Sequence, residues 1–321
     1  MRAAVIHTTG EPPRYGEFDD PVAGEGEALV RVSAAAITNI ARARAAGTHY
    51  SRHEVLPAVP GIDGVGRTED GTRVYFGGPR EPFGTMAEYA PAPRAWLAPV
   101  PDVLDDVTAA ALPNPGVSAW LSLSHRARLR EGESVLVLGA TGVTGRLAVQ
   151  SAKLQGARRV VAAGRDEASL ARLAGLGADT TVRIGDPATD LADALVEAAG
   201  EDGFDVVIDY LWGAPTEAFV RSVIRGDLSA TRGRIRLVQV GEMAGTEIRL
   251  PAAALRSSGL EIVGIGTGSM PEPQVMSAAF ERVLAAATAG ELSIDTEAVP
   301  LSGVAEAWGR DGRGTRLVLV P

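Results

Sequence analysis

The 321-residue sequence has no cysteine, one lysine (Lys153), four histidines and no apolar run near the roughly 18 residues of a membrane-spanning helix. Without cysteine there are no disulfides, no thiolate nucleophile and no thiolate ligand for zinc. Nearly all of the 31 cationic side chains are therefore arginines, and chemistry that depends on lysine is largely excluded. Lys153 follows no P-loop, and Val149 four residues before it leaves no Tyr-x-x-x-Lys couple. A net charge of −9 provides no cationic footprint for nucleic acid. No block of like charge marks a tail or a basic membrane patch. The opening Met1-Arg2-Ala3-Ala4-Val5-Ile6-His7 has too short an apolar segment for a signal peptide, so the sequence reads as cytoplasmic.

What is present suits a soluble globular protein of two domains, with 45% hydrophobic and 22% charged residues. Strand and turn signals dominate the first part: Arg2–His7, Glu27–Val32, Gly61–Gly66, Thr72–Phe76 and Met86–Tyr89. The texture then changes. Asp105–Leu112 and Val117–Ala127 read as helical, and from Ser134 strands at 134–138, 159–163, 180–182, 205–209, 234–240 and 259–264 alternate with helices near 143–155, 167–175, 187–199 and 214–225. Such alternation specifies a parallel sheet covered on both faces, an α/β architecture. Beyond it, a helix over 273–289, a segment at 294–299 and a last strand at 316–320 are expected to return to the first domain. The predicted division is 1–115, 116–267 and 268–321.

The stretch Ser134-Val135-Leu136-Val137-Leu138-Gly139-Ala140-Thr141-Gly142-Val143-Thr144-Gly145 organises this second part. Its continuous apolar residues read as a strand buried on both faces, and the helix after the glycines makes the cluster a strand-to-helix turn. Gly142 lets backbone approach a pyrophosphate, Gly145 lets the helix pack on the strand, and the free N–H groups of the helix start face the anion. Ala140 stands where the first glycine of G-x-G-x-x-G would be. The turn thus reads as a dinucleotide site formed by Ala140, Thr141, Gly142, Val143, Thr144 and Gly145, or as a tight turn that binds nothing.

The next strand ends in Gly164-Arg165-Asp166, where NAD-preferring folds place an acid against the ribose 2′-hydroxyl. Arg165 is suited instead to a 2′-phosphate, which favours NADP(H). Asp166 reads as a helix N-cap or as that ribose acid, and Arg165 can equally be a solvated surface charge.

In order along the chain, Pro60-Gly61-Ile62-Asp63-Gly64-Val65-Gly66, Gly71–Phe76, Gly84–Tyr89, Gly116-Val117-Ser118-Ala119-Trp120, the glycine turn and Gly177-Ala178-Asp179 resemble the zinc-independent quinone oxidoreductase branch of the medium-chain dehydrogenase/reductase superfamily. The resemblance implies a GroES-like β-rich domain, a Rossmann doubly wound parallel sheet, and a cleft holding nicotinamide and substrate. Zinc-dependent relatives carry a histidine where Ile62 stands, cysteine ligands elsewhere, and a four-cysteine lobe near Phe76–Met86. With no metal to polarise the acceptor, the implied substrate is already electrophilic: a quinone or another α,β-unsaturated carbonyl. By the same resemblance Asn39 lies near nicotinamide, although the family's asparagine could fall on Thr38 and Asn39 also reads as an N-cap. Tyr50 lies near the substrate, with His49 or His53 as a proton relay or as polar loop residues. Ser118 falls near the nicotinamide ribose.

Tyr210, Gly241, Gly266 and Thr267 end later strands, where open α/β sheets bind ligands. Asp63 reads as satisfying backbone groups in its turn, His7 and His125 as structural. Within the same fold an enoyl-thioester reductase is an alternative, and a non-catalytic NADPH-binding redox sensor is another. The apolar strand Gly259–Gly264 is expected to pair with a second copy in a homodimer.

Overall fold

The structure is a computed structural model that describes residues 1–186, 188–224 and 233–321. Two compact units divide it: Met1–Asn114 with Ser293–Pro321, and Pro115–Leu292.

The first unit is β-rich. Strands β1 (Arg2–Val5) and β2 (Arg14–Glu17) form an antiparallel pair, and the long β3 (Glu27–Ala36) anchors a larger sheet. Helix α1 (Asn39–Ala45) follows, then β4 (Asp63–Thr68), β5 (Arg73–Gly77), β6 (Tyr89–Pro93), β7 (Leu97–Pro99) and α2 (Asp106–Ala111). The strand expected at 86–89 begins at Tyr89 and runs through Pro91 and Pro93. Those prolines are tolerated because β6 pairs along its length with β3 and, among the described strands, with no other, so its second edge needs no ladder donors. Val30, Val32, Val74, Phe76 and Met86 lead the core of this unit.

Helix α3 (Pro113–Leu121) leads into a π-helical turn, Ser122–Ala127, where a single helix over 117–127 was expected. The second unit then builds a six-stranded, all-parallel sheet from β8 (Ser134–Leu138), β9 (Arg159–Gly164), β10 (Thr180–Arg183), β11 (Val206–Asp209), β12 (Ile235–Gln239) and β13 (Leu260–Gly264). Their order is β10-β9-β8-β11-β12-β13, the arrangement in which the chain reverses direction across the sheet beside β8. Every residue of β8 is buried, as its unbroken apolar run requires. The connecting helices are α4 (Val143–Leu154), α5 (Glu167–Leu173), α6 (Leu191–Ala199), α7 (Gly213–Val223) and α8 (Ala252–Ser258). Helix α6 starts later than 187 because Asp190 caps it, accepting from Ala192 N at 2.8 Å. The expected ends at 187 and 225 lie outside the described residues.

Helix α9 (Pro273–Thr288) corrects the expected return at residue 268: it belongs to the second unit, and the chain rejoins the first only at Ser293. Val283 of α9 is fully buried and sits so close to Gly116 of α3 that a Cβ there would lie 2.7 Å from its Cγ1. After α9 come β14 (Thr296–Pro300), α10 (Val304–Gly309) and β15 (Arg316–Val320), which pairs with β3. Among the described residues no helix is long and apolar enough to cross a membrane. His7 and His125, read as structural, are both exposed, one past the end of β1 and one in the π-helical turn.

Candidate functional site

The carboxyl end of the parallel sheet gathers most of the residues singled out from sequence. At its centre Gly139 takes φ 89°, the left-handed conformation that only glycine adopts without strain. This explains why alanine is tolerated at 140: the sharp turn belongs to the residue before it. Gly139 N and Ala140 N both donate to Ala163 O at 2.9 Å, so the turn leans on β9 and the Ala140 amide is already committed. Gly145 is required by packing, since a Cβ would lie 2.2 Å from Gly139 O.

Gly142 is the N-cap of α4 and supplies no side-chain cap, so the first-turn amides of Val143, Thr144 and Gly145 point out of a 12-residue helix uncapped. A Cβ on Gly142 would meet only Gly139 O, at 3.5 Å. Open space in front of unsatisfied N–H groups is what an anion needs.

Thr141 joins this turn to the next. Its Cγ2 occupies the place a Cβ on Gly164 would take, 2.4 Å away, which is why β9 ends in glycine. Arg165 follows, exposed. The Asp166 carboxylate accepts from Ser169 N at 2.8 Å through Oδ1 and caps α5, as the N-cap reading expects. Arg146, which the sequence reading passed over, is buried: its Nε donates to Thr141 O and its Nη2 to Ser169 Oγ, both at 3.3 Å, tying the two strand-end loops together.

On the other side, Tyr210 N donates to Leu138 O at 3.1 Å, and a Cβ on Gly241 would lie 2.8 Å from Tyr210 O, so the ends of β8, β11 and β12 touch. The Tyr210 hydroxyl is buried with no hydrogen-bond partner among the described residues, and burial pushes its pKa up. Asp209 shapes this corner: Oδ1 accepts from Leu211 N (2.8 Å) and Trp212 N (3.0 Å), Oδ2 from Thr216 Oγ1 (2.5 Å). Gly266 and Thr267 are placed beyond β13 at the same carboxyl edge, where Gly266 N donates to Ser269 Oγ at 3.1 Å. Ser118 is half-buried, the sixth residue of α3 rather than its start, and its carbonyl accepts from Ser122 Oγ at 2.7 Å.

In the β-rich unit the N-cap of α1 is Thr38, whose Oγ1 accepts from Ala41 N at 3.1 Å; Asn39 is the exposed first helical residue. The cap reading therefore moves from Asn39 to Thr38. Tyr50 is 73% exposed, its ring 4.0 Å from that of His49. Ser51 N donates to His49 Nδ1 at 3.1 Å, so a neutral His49 carries its proton on Nε2.

Asp63 serves side chains rather than backbone. Its carboxylate accepts from Tyr75 OH at 2.8 Å, and burial raises its pKa against the opposing pull of Tyr75, Asn114 and Arg316. The backbone carbonyl of Asp63, not its carboxylate, takes the Thr85 hydroxyl, at 2.7 Å.

Comparison with known proteins agrees with this fold. The family described as zinc-binding dehydrogenase matches residues 143–285, a stretch that contains neither cysteine nor histidine. A probable NADPH-dependent quinone reductase of Emericella nidulans, tdiC, is 30% identical over the full length of both chains. Among solved structures, the quinone oxidoreductase of Thermus thermophilus, also known in complex with NADPH, is 28% identical with a TM-score of 0.78 over both whole chains. An NAD-dependent alcohol dehydrogenase is 29% identical with a TM-score of 0.84, again over both whole chains. The chain is an oxidoreductase of the medium-chain dehydrogenase/reductase superfamily and belongs to its quinone oxidoreductase branch.

Proposed function

We propose that this protein is an NADPH-dependent reductase of quinones or other α,β-unsaturated carbonyls that works without zinc. The observation that carries the reading is the uncapped first turn of α4, open in front of Gly142, next to a strand end that presents Arg165 while Asp166 is used as a cap. In this reading the amides of Val143, Thr144 and Gly145 hold the diphosphate, and Arg165 grips the 2′-phosphate with charge-assisted hydrogen bonds. The names of the Emericella and Thermus relatives agree with the phosphorylated cofactor, and the alcohol dehydrogenase relative makes Arg165 the residue to test. Ser118, Tyr210, Gly241, Gly266 and Thr267 line the remainder of the cofactor's path.

When bound, NADPH supplies a hydride. The residues of this chain then manage the oxygen that gains charge and the proton that completes reduction. Tyr50 donates its O–H to that oxygen, and Asn39 orients the nicotinamide amide. His49 returns a proton to the phenolate from Nε2 as Nδ1 takes one from the Ser51 hydroxyl 2.8 Å away, which is refilled from solvent. A quinone takes the hydride and one proton to become a hydroquinone; an enone takes hydride at Cβ and the proton at Cα. No cysteine is available as a ligand and Ile62 stands where metal-dependent relatives have histidine, so polarisation falls to these hydrogen bonds.

The test is the affinity of NADPH and NADH for wild type and Arg165→Glu by calorimetry, with turnover of quinones, 2-enals and enoyl thioesters alongside. The variant is expected to lose roughly tenfold or more in NADPH affinity and none for NADH. Unchanged discrimination removes Arg165 from the role, and binding without oxidation of NADPH by any acceptor makes the protein a non-catalytic sensor.

A further inference from the structure

The segment that carries His49 and Tyr50 is held by a residue from elsewhere in the same unit. Helix α1 gives way at Gly47 (φ 72°), and the amides of Thr48 and His49 fold back onto Ala43 O at 3.0 and 3.3 Å. Further along, Glu81, from the connection between β5 and β6, takes over with both carboxylate oxygens. Oε1 accepts from Arg44 Nη2 at 2.9 Å and lies 3.2 Å from His53 Nδ1, and Oε2 accepts from Glu54 N at 3.3 Å. Arg44 extends the reach of this carboxylate, because its Nε donates to Ser51 O at 2.6 Å. Glu81 thus fixes residue 54 directly and residue 51 through Arg44, with the His53 ring set beside the same carboxylate. Burial and the Arg44 guanidinium push His53 below its ordinary pKa against the pull of Glu81, which leaves Arg44 as the cationic partner at neutral pH.

Tyr50 itself is exposed, so packing does not fix its ring. Stacking on His49, and the bonds from Ser51 to His49 Nδ1, lock the two rings to each other and to the loop. The direction of the phenol is inherited from wherever the loop is anchored. We propose that Glu81 is a positioning residue for the reduction: by pinning residues 51–54 it holds the His49–Tyr50 pair in the one orientation in which the Tyr50 hydroxyl meets the substrate oxygen. This rests on the reading above that Tyr50 acts on the substrate. An unpinned loop would spread that hydroxyl over many orientations, and the productive fraction would fall.

The experiment compares wild type, Glu81→Ala, Glu81→Gln, Tyr50→Phe and the Tyr50→Phe/Glu81→Ala double variant. Hydrogen–deuterium exchange reads the anchor without reference to activity: exchange over 48–54 is expected to rise in Glu81→Ala while the β3–β4 core stays protected. With the best quinone or enone, kcat/KM is expected to fall about 10- to 100-fold in Glu81→Ala. Glu81→Gln keeps an oxygen for Glu54 N–H and should recover part of that loss, and NADPH affinity should hold constant. In the Tyr50→Phe background, Glu81→Ala should cost little more.

Unchanged exchange overturns the anchor outright. An equal loss in both backgrounds shows that Glu81 acts independently of Tyr50 and also overturns the proposal. If Tyr50→Phe turns over like wild type, the role of Tyr50 fails and the positioning role with it, while the exchange result still reports whether the anchor exists.

Discussion

Gly164 shows how a single hydrogen in place of a methyl group organises the site. The side chain of Thr141, from the glycine turn, fills the volume a Cβ would need, so the loop expected to hold a diphosphate and the strand end bearing Arg165 are in van der Waals contact through that position. Gly164→Ala is therefore predicted to destabilise the protein by ~1–3 kcal/mol through overpacking and to weaken dinucleotide binding with it. Thr141→Ala in the same chain should restore much of both, because it vacates the contested space; denaturant titration and calorimetry on the single and double variants check this. Failure of the second substitution to rescue would mean that the clash is with backbone.

At this scale the sequence was partly legible. An aspartate just ahead of a helical pattern announced Asp166 as a cap. Thr38 and Asn39 are both good cap formers in adjacent positions, and only backbone dihedrals separate them. The substitution of the first motif glycine by Ala140 was visible, but the compensating left-handed Gly139 was not, because φ is a property of the folded chain. Arg44 and Glu81, 37 residues apart, gave no local signal at all.

The corner between β11 and α7 makes the case for elements. Two consecutive residues, Trp212 and Gly213, have φ of 55° and 59°, and the buried carboxylate of Asp209 holds the amides of Leu211 and Trp212 that this geometry turns inward. Burial raises the Asp209 pKa, against hydrogen bonds from Thr216, Trp212 and Leu211 that lower it. A carboxyl whose folded pKa lies above its unfolded value binds its proton more tightly when folded. Stability from this group is therefore greatest at low pH and declines as pH rises from the unfolded value through the raised one.

Asparagine keeps the acceptor for both amides and offers Thr216 a donor without a charge. Asp209→Asn is predicted to remove that decline: relative to wild type it gains stability as pH rises through the window, measured by urea midpoints at several pH values. A parallel pH profile in the two proteins would contradict the assignment. Parallel strands were read well because residues buried on both faces must be apolar throughout, whereas β6 was displaced by two prolines that only its pairing with β3 alone accommodates. The π-helical turn at 122–127 carries no periodicity distinct from that of an α-helix.

For the whole molecule, the shift from strand-rich to alternating texture announced two units, but not where the second one ends. The amphipathic pattern of α9 says that one face is buried and is silent about what buries it; the contact of Val283 with Gly116 supplies the answer. The same limit applies to β13. It pairs with β12 alone among the described strands, so its outer backbone groups lack a ladder partner, and Ile262 and Val263 on it are only half-buried. Exposed Met243, Leu255 and Met270 add apolar surface in this unit. An unprotected apolar edge of this kind invites pairing with another strand, and a second copy related by a two-fold axis satisfies both edges at once without leaving a new one open.

We propose that the protein is a homodimer through β13. Light scattering at micromolar concentration should then give twice the 33.2 kDa of one chain. Val263→Lys should shift the mass toward the monomer while NADPH affinity persists, because β11 and β12 stand between β13 and the glycine turn at the end of β8. A monomeric mass for the wild-type chain would overturn the dimer, and a dimer that survives the lysine would place the association elsewhere.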